Sequence, residues 1–230
     1  MTSGAVVDGP QIGTLKTQIV ASLGVADVLL TGSGSLALEL ALHFCGVGRG
    51  DEVVLPTFCC TAVVPPVLAV GATPVLADCG DDLNITTASV AAVLTKKTKA
   101  IVAPHLFGNP AEIDAIVELV RGRNIRVIDD AAQTLGAILN GQPVGSFGDA
   151  GILSFGAEKV CFGLGGGVAV SRDKHMAAKF SQANLSRAAV APAIESLLTT
   201  ITWRCLRRWT RPFRSMLSPE SAAPDAAPIP

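Results

Sequence analysis

Residues 99–130 read KAIVAPHLFGNPAEIDAIVELVRGRNIRVIDD, and this stretch decides the fold class. β-Branched runs over 99–103 and 125–129 predict two buried strands. Between them, 113–121 has the apolar spacing of an amphipathic helix. A strand, a helix and a second strand at this spacing indicate a parallel pair joined by a crossover helix, which is the repeating unit of an α/β sheet.

The same alternation extends in both directions along the chain. Further strands are predicted at 27–31, 52–55, 73–77, 150–154 and 167–170. Further helices are predicted at 35–45, 62–70 and 87–94. The seven strands favour a largely parallel sheet with helices on both faces. Ligands of such sheets bind at the carboxyl ends of strands, so the residues that directly follow each strand are the candidates for chemistry.

The composition excludes several classes of protein. The chain has 230 residues, of which 49% are hydrophobic and 16% charged, so it can bury a large core. Its 18 Lys and Arg balance 19 Asp and Glu, which argues against a nucleic-acid partner. No CxxC pair occurs among the six cysteines, so no zinc or other metal site is predicted. Without a signal peptide or a membrane-length apolar run, the expected location is cytoplasmic.

The first candidate motif is Thr31-Gly32-Ser33-Gly34-Ser35, which leaves a predicted strand and opens a helix. Glycines let a backbone approach an anion, and the first free N–H groups of a helix point toward it. The motif therefore predicts a phosphate cradle or, taken alone, an ordinary helix N-cap.

The second motif, VIDDAAQ at 127–133, places two carboxylates at the end of an apolar strand. A buried carboxylate is costly unless it meets a cation or hydrogen-bond donors. A protonated heterocycle is one partner of that kind, and a helix cap after the strand is the alternative.

The third motif, SFGAEK at 154–159, is followed by a glycine run at 163–167. An amine held just past a strand among apolar residues can become a nucleophile, although a lone lysine is more often a surface residue. Taken together, an anion cradle, a strand-end carboxylate and an amine in this order are what pyridoxal phosphate requires.

With GRGDEVVLPTF, GATPVLAD and GGGVAVS, these motifs resemble the large domain of the DegT/DnrJ/StrS family of pyridoxal-phosphate-dependent sugar-nucleotide aminotransferases over about residues 15–180. The resemblance implies the type I PLP-transferase α/β fold, with a mixed seven-stranded sheet covered by helices on both faces. It also implies a PLP-binding large domain at 1–187 and a homodimer.

The resemblance further implies which residues hold the cofactor ring. Lys159 would form a Schiff base with the aldehyde, and Asp130 would pair with the pyridine nitrogen. Gln133 would bond the phenolic oxygen, and Phe58 would stack on the ring.

The phosphate would be held by Ser154 and by the backbone of Gly34 and Ser35. The implied reaction moves an amino group from an amino acid to a keto sugar attached to a nucleotide. The family's GxNxR-like segment and small C-terminal domain are not recognisable in this sequence. A truncated, non-catalytic remnant of the fold and one half of a split enzyme therefore remain as alternatives.

Two further polar residues stand in these motifs. His105 follows a predicted strand and either touches substrate or is a hydrogen-bonded core histidine. Asp129 is expected to bond backbone or a neighbouring side chain.

The segment after residue 187 differs from the rest. Residues 188–217 predict an amphipathic basic helical appendage, and the Pro- and Ala-rich 218–230 predict a disordered tail. Within 201–217, apolar residues recur at helical spacing opposite five arginines. This helix could dock on its own domain or dimer partner, contact a membrane surface, or pack on a further domain.

Overall fold

The computed structural model describes residues 10–156, 158–161, 163, 165–174 and 178–179. Within them a seven-stranded sheet is sandwiched between helices. Its strands are β1 (Asp27–Thr31), β2 (Glu52–Pro56), β3 (Thr73–Ala77), β4 (Thr98–Pro104), β5 (Arg126–Asp130), β8 (Ala150–Ser154) and β9 (Gly167–Ser171). The remaining two strands, β6 (Ile138–Leu139) and β7 (Gln142–Pro143), form a separate small hairpin.

The sheet has the order β1-β9-β8-β5-β4-β2-β3. The strands β3, β2, β4, β5 and β8 run parallel to one another, whereas β9 is antiparallel to both of its neighbours. The predicted mixed seven-stranded sheet is therefore confirmed. The parallel strands bring their carboxyl ends to one edge of the sheet, which is where ligands of such folds bind.

Five helices connect and cover the strands: α1 (Pro10–Leu23), α2 (Gly34–Phe44), α3 (Val64–Ala69), α4 (Thr87–Val93) and α5 (Ile113–Leu119). A 3₁₀ turn at Thr61–Val63 leads directly into α3. None of the helices in the described part of the chain is both long and apolar enough to cross a membrane.

The core lies on both faces of the sheet, because neighbouring strand residues point to opposite sides. In β4, Ala100 and Val102 pack with α2 and α3, while Ile101 and Ala103 pack with α4 and α5. A third buried cluster joins α1 to β8 and β9. Strands buried on both faces explain the continuous apolar runs in the sequence.

The structure differs from the sequence prediction at three places. Helix α1 was not predicted, because its sequence is only weakly amphipathic. The helix expected over 62–70 is divided, since Pro65 and Pro66 fit the first turn of a helix and favour a new start. The β6-β7 hairpin is too short to give a strand pattern. The predicted segments 188–217 and 218–230 lie outside the described residues.

Candidate active site

A single pocket brings together residues from every predicted motif. It lies at the carboxyl ends of β4, β5 and β8 and encloses about 520 Å³ of empty space, including its open mouth. Six of the seven residues predicted to bind the cofactor line it: Gly34, Ser35, Asp130, Gln133, Ser154 and Lys159. The seventh, Phe58, is not among the lining residues.

One wall is the N-terminus of α2, where Ser33 caps the helix. Its hydroxyl oxygen accepts the N–H of Leu36 at 3.1 Å. Gly34 follows directly and packs against Ser154, so that a Cβ on Gly34 would lie 3.0 Å from the Ser154 Oγ. The close approach keeps the free N–H groups of the helix and the serine hydroxyl on one side of the pocket, as an anion site requires.

The glycine run after Lys159 explains how α2 reaches this position. Gly165 and Gly166 have φ values of +114° and +106°, a region that strongly favours glycine. A Cβ on Gly167 would overlap the carbonyl group of Ser33 and the nitrogen of Gly34. The run therefore lets β9 pass directly beneath the start of the helix.

Ser154 and Lys159 offer polar groups that the protein itself leaves open. The Ser154 hydroxyl makes no hydrogen bond within the described residues, where no buried polar side-chain atom is left unpaired, so it must face the pocket. The half-buried Lys159 forms no ion pair within the same part of the chain. Its main-chain N–H donates to Gly156 at 3.1 Å, which holds the lysine in a tight turn.

Asp130 ends β5 and is 6% exposed. Burial raises its pKa above the ordinary value of 3.8, whereas the Ala132 N–H, which donates to Oδ1 at 3.0 Å, and the charge of Lys159 oppose that rise. Its Oδ2 makes no hydrogen bond within the described residues and must also reach the pocket. This oxygen is available for a cationic partner.

Gln133 and Phe58 lie nearer the mouth. Gln133 Oε1 accepts the N–H of Phe107 at 3.4 Å, which leaves its amide nitrogen for a ligand. Phe58 is 49% exposed and lies against Phe107, with ring centroids 6.4 Å apart. Its predicted stacking on the cofactor remains a prediction.

His105 and Asp129 form a buried pair, and both are 0% exposed. His105 Nε2 lies 2.6 Å from Asp129 Oδ1. Of the two alternatives, His105 is thus the hydrogen-bonded core histidine, although the residue is also among those that line the pocket. The expectation that Asp129 bonds backbone or a neighbouring side chain is confirmed, because it bonds both.

Sequence reasoning missed part of the pocket lining. Cys60, Ala62 and Val63, from the turn before α3, line the pocket. The Ser35 hydroxyl donates to the Ala62 carbonyl at 3.3 Å and ties this turn to α2. The signal was present in the sequence, because these residues lie in the segment that connects the end of β2 to α3.

The DegT/DnrJ/EryC1/StrS aminotransferase family model matches residues 1–191. The chain therefore belongs to this family, and the resemblance drawn from the motifs is confirmed.

One relative is the UDP-N-acetyl-3-dehydro-alpha-D-glucosamine 3-aminotransferase of Acidithiobacillus ferrooxidans. It is 43% identical over 173 residues, which are 74% of this chain and 47% of that protein. The chain thus spans about half the length of this curated relative.

Solved structures agree with this assignment. The aminotransferase from Psychrobacter cryohalolentis has a TM-score of 0.73 and 37% identity over 75% of this chain and 44% of its own. The PLP form of a sugar aminotransferase from Streptococcus pneumoniae has a TM-score of 0.72 and 28% identity over 78% of this chain and 52% of its own.

Proposed function

We propose that this chain forms the cofactor-binding part of a pyridoxal-phosphate-dependent sugar-nucleotide aminotransferase. The observation that carries the proposal is the convergence of an anion site, a carboxylate and an amine in one pocket. Pyridoxal phosphate has a phosphate, a pyridine nitrogen and an aldehyde, and the pocket offers one complementary group for each. The unpartnered Ser154 hydroxyl and Asp130 Oδ2 fit such a ligand.

In this proposal different residues of the pocket bind different parts of the cofactor. The backbone of Gly34 and Ser35 and the hydroxyl of Ser154 would bind the phosphate. Asp130 would keep the pyridine nitrogen protonated, and Gln133 would orient the ring through its amide. When bound, the cofactor supplies an aldehyde that condenses with amines and a ring that accepts electrons.

Lys159 would hold the cofactor and then act as the proton carrier. Its amine is the only one among the pocket-lining residues within the described chain. With its amine free, Lys159 would carry a proton between the Cα atom of the substrate and the C4′ atom of the cofactor. These 230 residues contain no tyrosine, so they supply no tyrosine base to compete with Lys159.

The proposed substrates are an amino acid, which gives the amino group, and a keto sugar attached to a nucleotide, which receives it. The relative from Acidithiobacillus ferrooxidans, whose name specifies a UDP-linked dehydro sugar, supports this substrate class. We also propose a homodimer, for which light scattering should give twice the chain mass of 23.5 kDa.

The test begins with attachment of the cofactor. Protein incubated with pyridoxal phosphate should absorb in the visible, and borohydride should fix the cofactor to Lys159 in a peptide map. Lys159→Ala should abolish both signals, whereas Lys97→Ala, at an exposed lysine outside the pocket, should leave them unchanged. Labelling of another lysine would overturn the assignment.

A second experiment distinguishes transfer of the amino group from binding of the cofactor alone. The visible absorbance of the loaded protein should fall when the amino donor is added and recover with a keto sugar nucleotide. If the cofactor attaches to Lys159 but none of the common amino acids changes the spectrum, the non-catalytic alternative is favoured.

A further inference from the structure

The hydrogen bonds around the His105 imidazole run in one direction. The Ala111 N–H donates to Nδ1 at 2.8 Å, so Nδ1 carries no proton and the ring proton lies on Nε2. Nε2 then donates to Asp129 Oδ1 at 2.6 Å. The other carboxylate oxygen accepts the N–H groups of Gly145 and Phe147, both at 2.8 Å. Each position in this network is fixed as a donor or an acceptor.

The network is joined to the segment that carries the candidate cofactor ligands. The main-chain N–H of His105 donates to the Asp130 carbonyl at 3.1 Å. The His105 carbonyl accepts the hydroxyl of Thr134 at 2.8 Å. These two bonds hold both ends of 130–134, the segment that includes Asp130 and Gln133.

The side chains of His105 and Asp129 do not reach solvent, so water cannot replace a hydrogen bond that either of them loses. Both side chains are 0% exposed, and the Asp129 carboxylate is stabilised by three N–H donors, one from His105 and two from the loop at 145–147. Removing a donor from a buried carboxylate leaves a polar group unsatisfied, so the surrounding backbone must move.

We propose that His105 and Asp129 are positioning residues, which hold the Asp130 carboxylate and Gln133 at the place where the cofactor ring binds. This inference rests on the proposed function. It assigns His105 a role through hydrogen bonds and the backbone, without direct participation in proton transfer.

Four variants test the direction of the network. His105→Gln keeps one donor toward Asp129 and one acceptor toward Ala111. His105→Leu removes both, and Asp129→Asn places an NH₂ group against N–H donors. The double variant His105→Glu with Asp129→Asn reverses the bond between the two residues, keeps one negative charge and satisfies every partner again.

The readout is the dissociation constant of two probes for the cofactor-free protein, measured by calorimetry. One probe is 4′-deoxypyridoxine 5′-phosphate, which has the pyridine ring but no aldehyde, and the other is inorganic phosphate. His105→Leu and Asp129→Asn should weaken the pyridine probe by about tenfold or more. His105→Gln and the double variant should stay within about threefold of the unchanged protein.

Phosphate binding separates positioning from general damage, because the candidate phosphate site is formed by other residues, namely Gly34, Ser35 and Ser154. Its dissociation constant should change by less than about twofold in all four variants. Equal weakening of both probes, or unchanged binding of the pyridine probe in His105→Leu, would overturn the positioning role alone. Failure of the unchanged protein to bind the pyridine probe would overturn the proposed function and this inference with it.

Nitrogen NMR of the cofactor-free protein gives a readout that is independent of any ligand. At neutral pH, His105 should show a protonated Nε2 and an unprotonated Nδ1, assigned by the loss of its signals in His105→Gln. A protonated Nδ1 would overturn the proposed direction of the network.

Discussion

Two regions beside the pocket differ in how completely the protein satisfies its own polar groups. The first, here called the closed wall, is the lining residue His105 together with Asp129 and the loop at 145–147, which lie outside the pocket lining. Its hydrogen bonds are all made within the protein. The open wall consists of Gly34, Ser154 and Lys159. Its serine hydroxyl has no bond and its lysine no ion pair within the described residues.

This difference distinguishes residues that fix the backbone, in the closed wall, from residues that are available to bind a ligand, in the open wall. Buried polar groups are normally paired, so a saturated network fixes the backbone and leaves no group for an external molecule. Polar groups that face a pocket without a protein partner are available to a ligand. Substitutions in the closed wall should therefore lower stability and change affinity only by moving the backbone, whereas those in the open wall should lower affinity directly.

The largest effect is expected from Gly151→Ala, which breaks the closed wall. A Cβ at this position would overlap the carbonyl oxygen of Gly145, whose N–H binds Asp129. Since backbone would be pressed against backbone, we expect a loss of about 4 kcal/mol in the free energy of unfolding, measured with urea.

Gly48→Ala is the matched control, because a Cβ there meets nothing within 4 Å. It should change the free energy of unfolding by less than about 0.5 kcal/mol. Equal losses in the two variants would show that the closed wall is not specially sensitive.

Asp130→Asn should lower ring affinity strongly, because Asp130 stands where the two walls meet and has one oxygen free. We expect the pyridine probe to lose about 3 kcal/mol of binding free energy, as for other charge-assisted contacts. Glu158→Gln removes a charge from an exposed residue beside Lys159 and should have little effect. If Asp129→Ala alone proved damaging to ring binding, the assignment of Asp130 would be wrong by one residue.

The same variant should change how stability depends on pH. Burial raises the pKa of Asp130 above 3.8, so the folded cofactor-free protein retains a proton that the unfolded chain loses. The stabilisation that comes from protonated Asp130 is therefore fully present below about pH 3.8. It is lost as the pH rises through the higher pKa of Asp130 in the folded protein. Asparagine has no such proton, so Asp130→Asn should gain stability relative to the unchanged protein as the pH rises above about 3.8, until the pH passes the raised pKa of folded Asp130. Urea unfolding over this range checks the trend, and a constant difference would contradict it.

A smaller effect should come from a pair of serine substitutions, one near each wall. Ser154→Ala should weaken phosphate binding by about 2 kcal/mol without loss of stability, because its hydroxyl has no protein partner.

Ser146 is 3% exposed and donates to the Pro143 carbonyl at 2.6 Å. Ser146→Ala should therefore cost about 1–2 kcal/mol of stability and leave phosphate binding unchanged. Calorimetry measures the phosphate affinity of both variants, and urea unfolding measures their stability. Equal changes in the two variants would contradict the distinction between the two walls.

The strands could be predicted because the sheet is buried on both faces. Runs such as 100–103 and 150–153 are continuously apolar, so their position follows from hydrophobicity alone. Asp130, Ser154 and Lys159 were found for a related reason, since each lies at or just after the end of such a run.

The remaining features depend on contacts that no local pattern encodes. Helix α1 is stabilised by packing of Ile19 and Leu23 against β8 and β9 rather than by its own amphipathicity. The direction of the His105–Asp129 network depends on the N–H groups of Ala111 and of residues 145 and 147, which carry no side-chain signature. Phe58 was assigned from the family motif, and its stacking on the cofactor stays a prediction.

The antiparallel strand β9 also determines when the pocket can form during synthesis. Thr31 of β1 and Ser154 of β8 are both paired with Gly167, so β1, which leads into α2, joins the sheet only through β9. Gly167 lies 136 residues after Thr31. At roughly 5–20 residues per second, the ribosome needs about 7–27 s to make that connection. The N-terminal strand must wait for this interval without its sheet neighbour, and the nascent chain cannot capture the cofactor in the complete pocket before β9 has emerged.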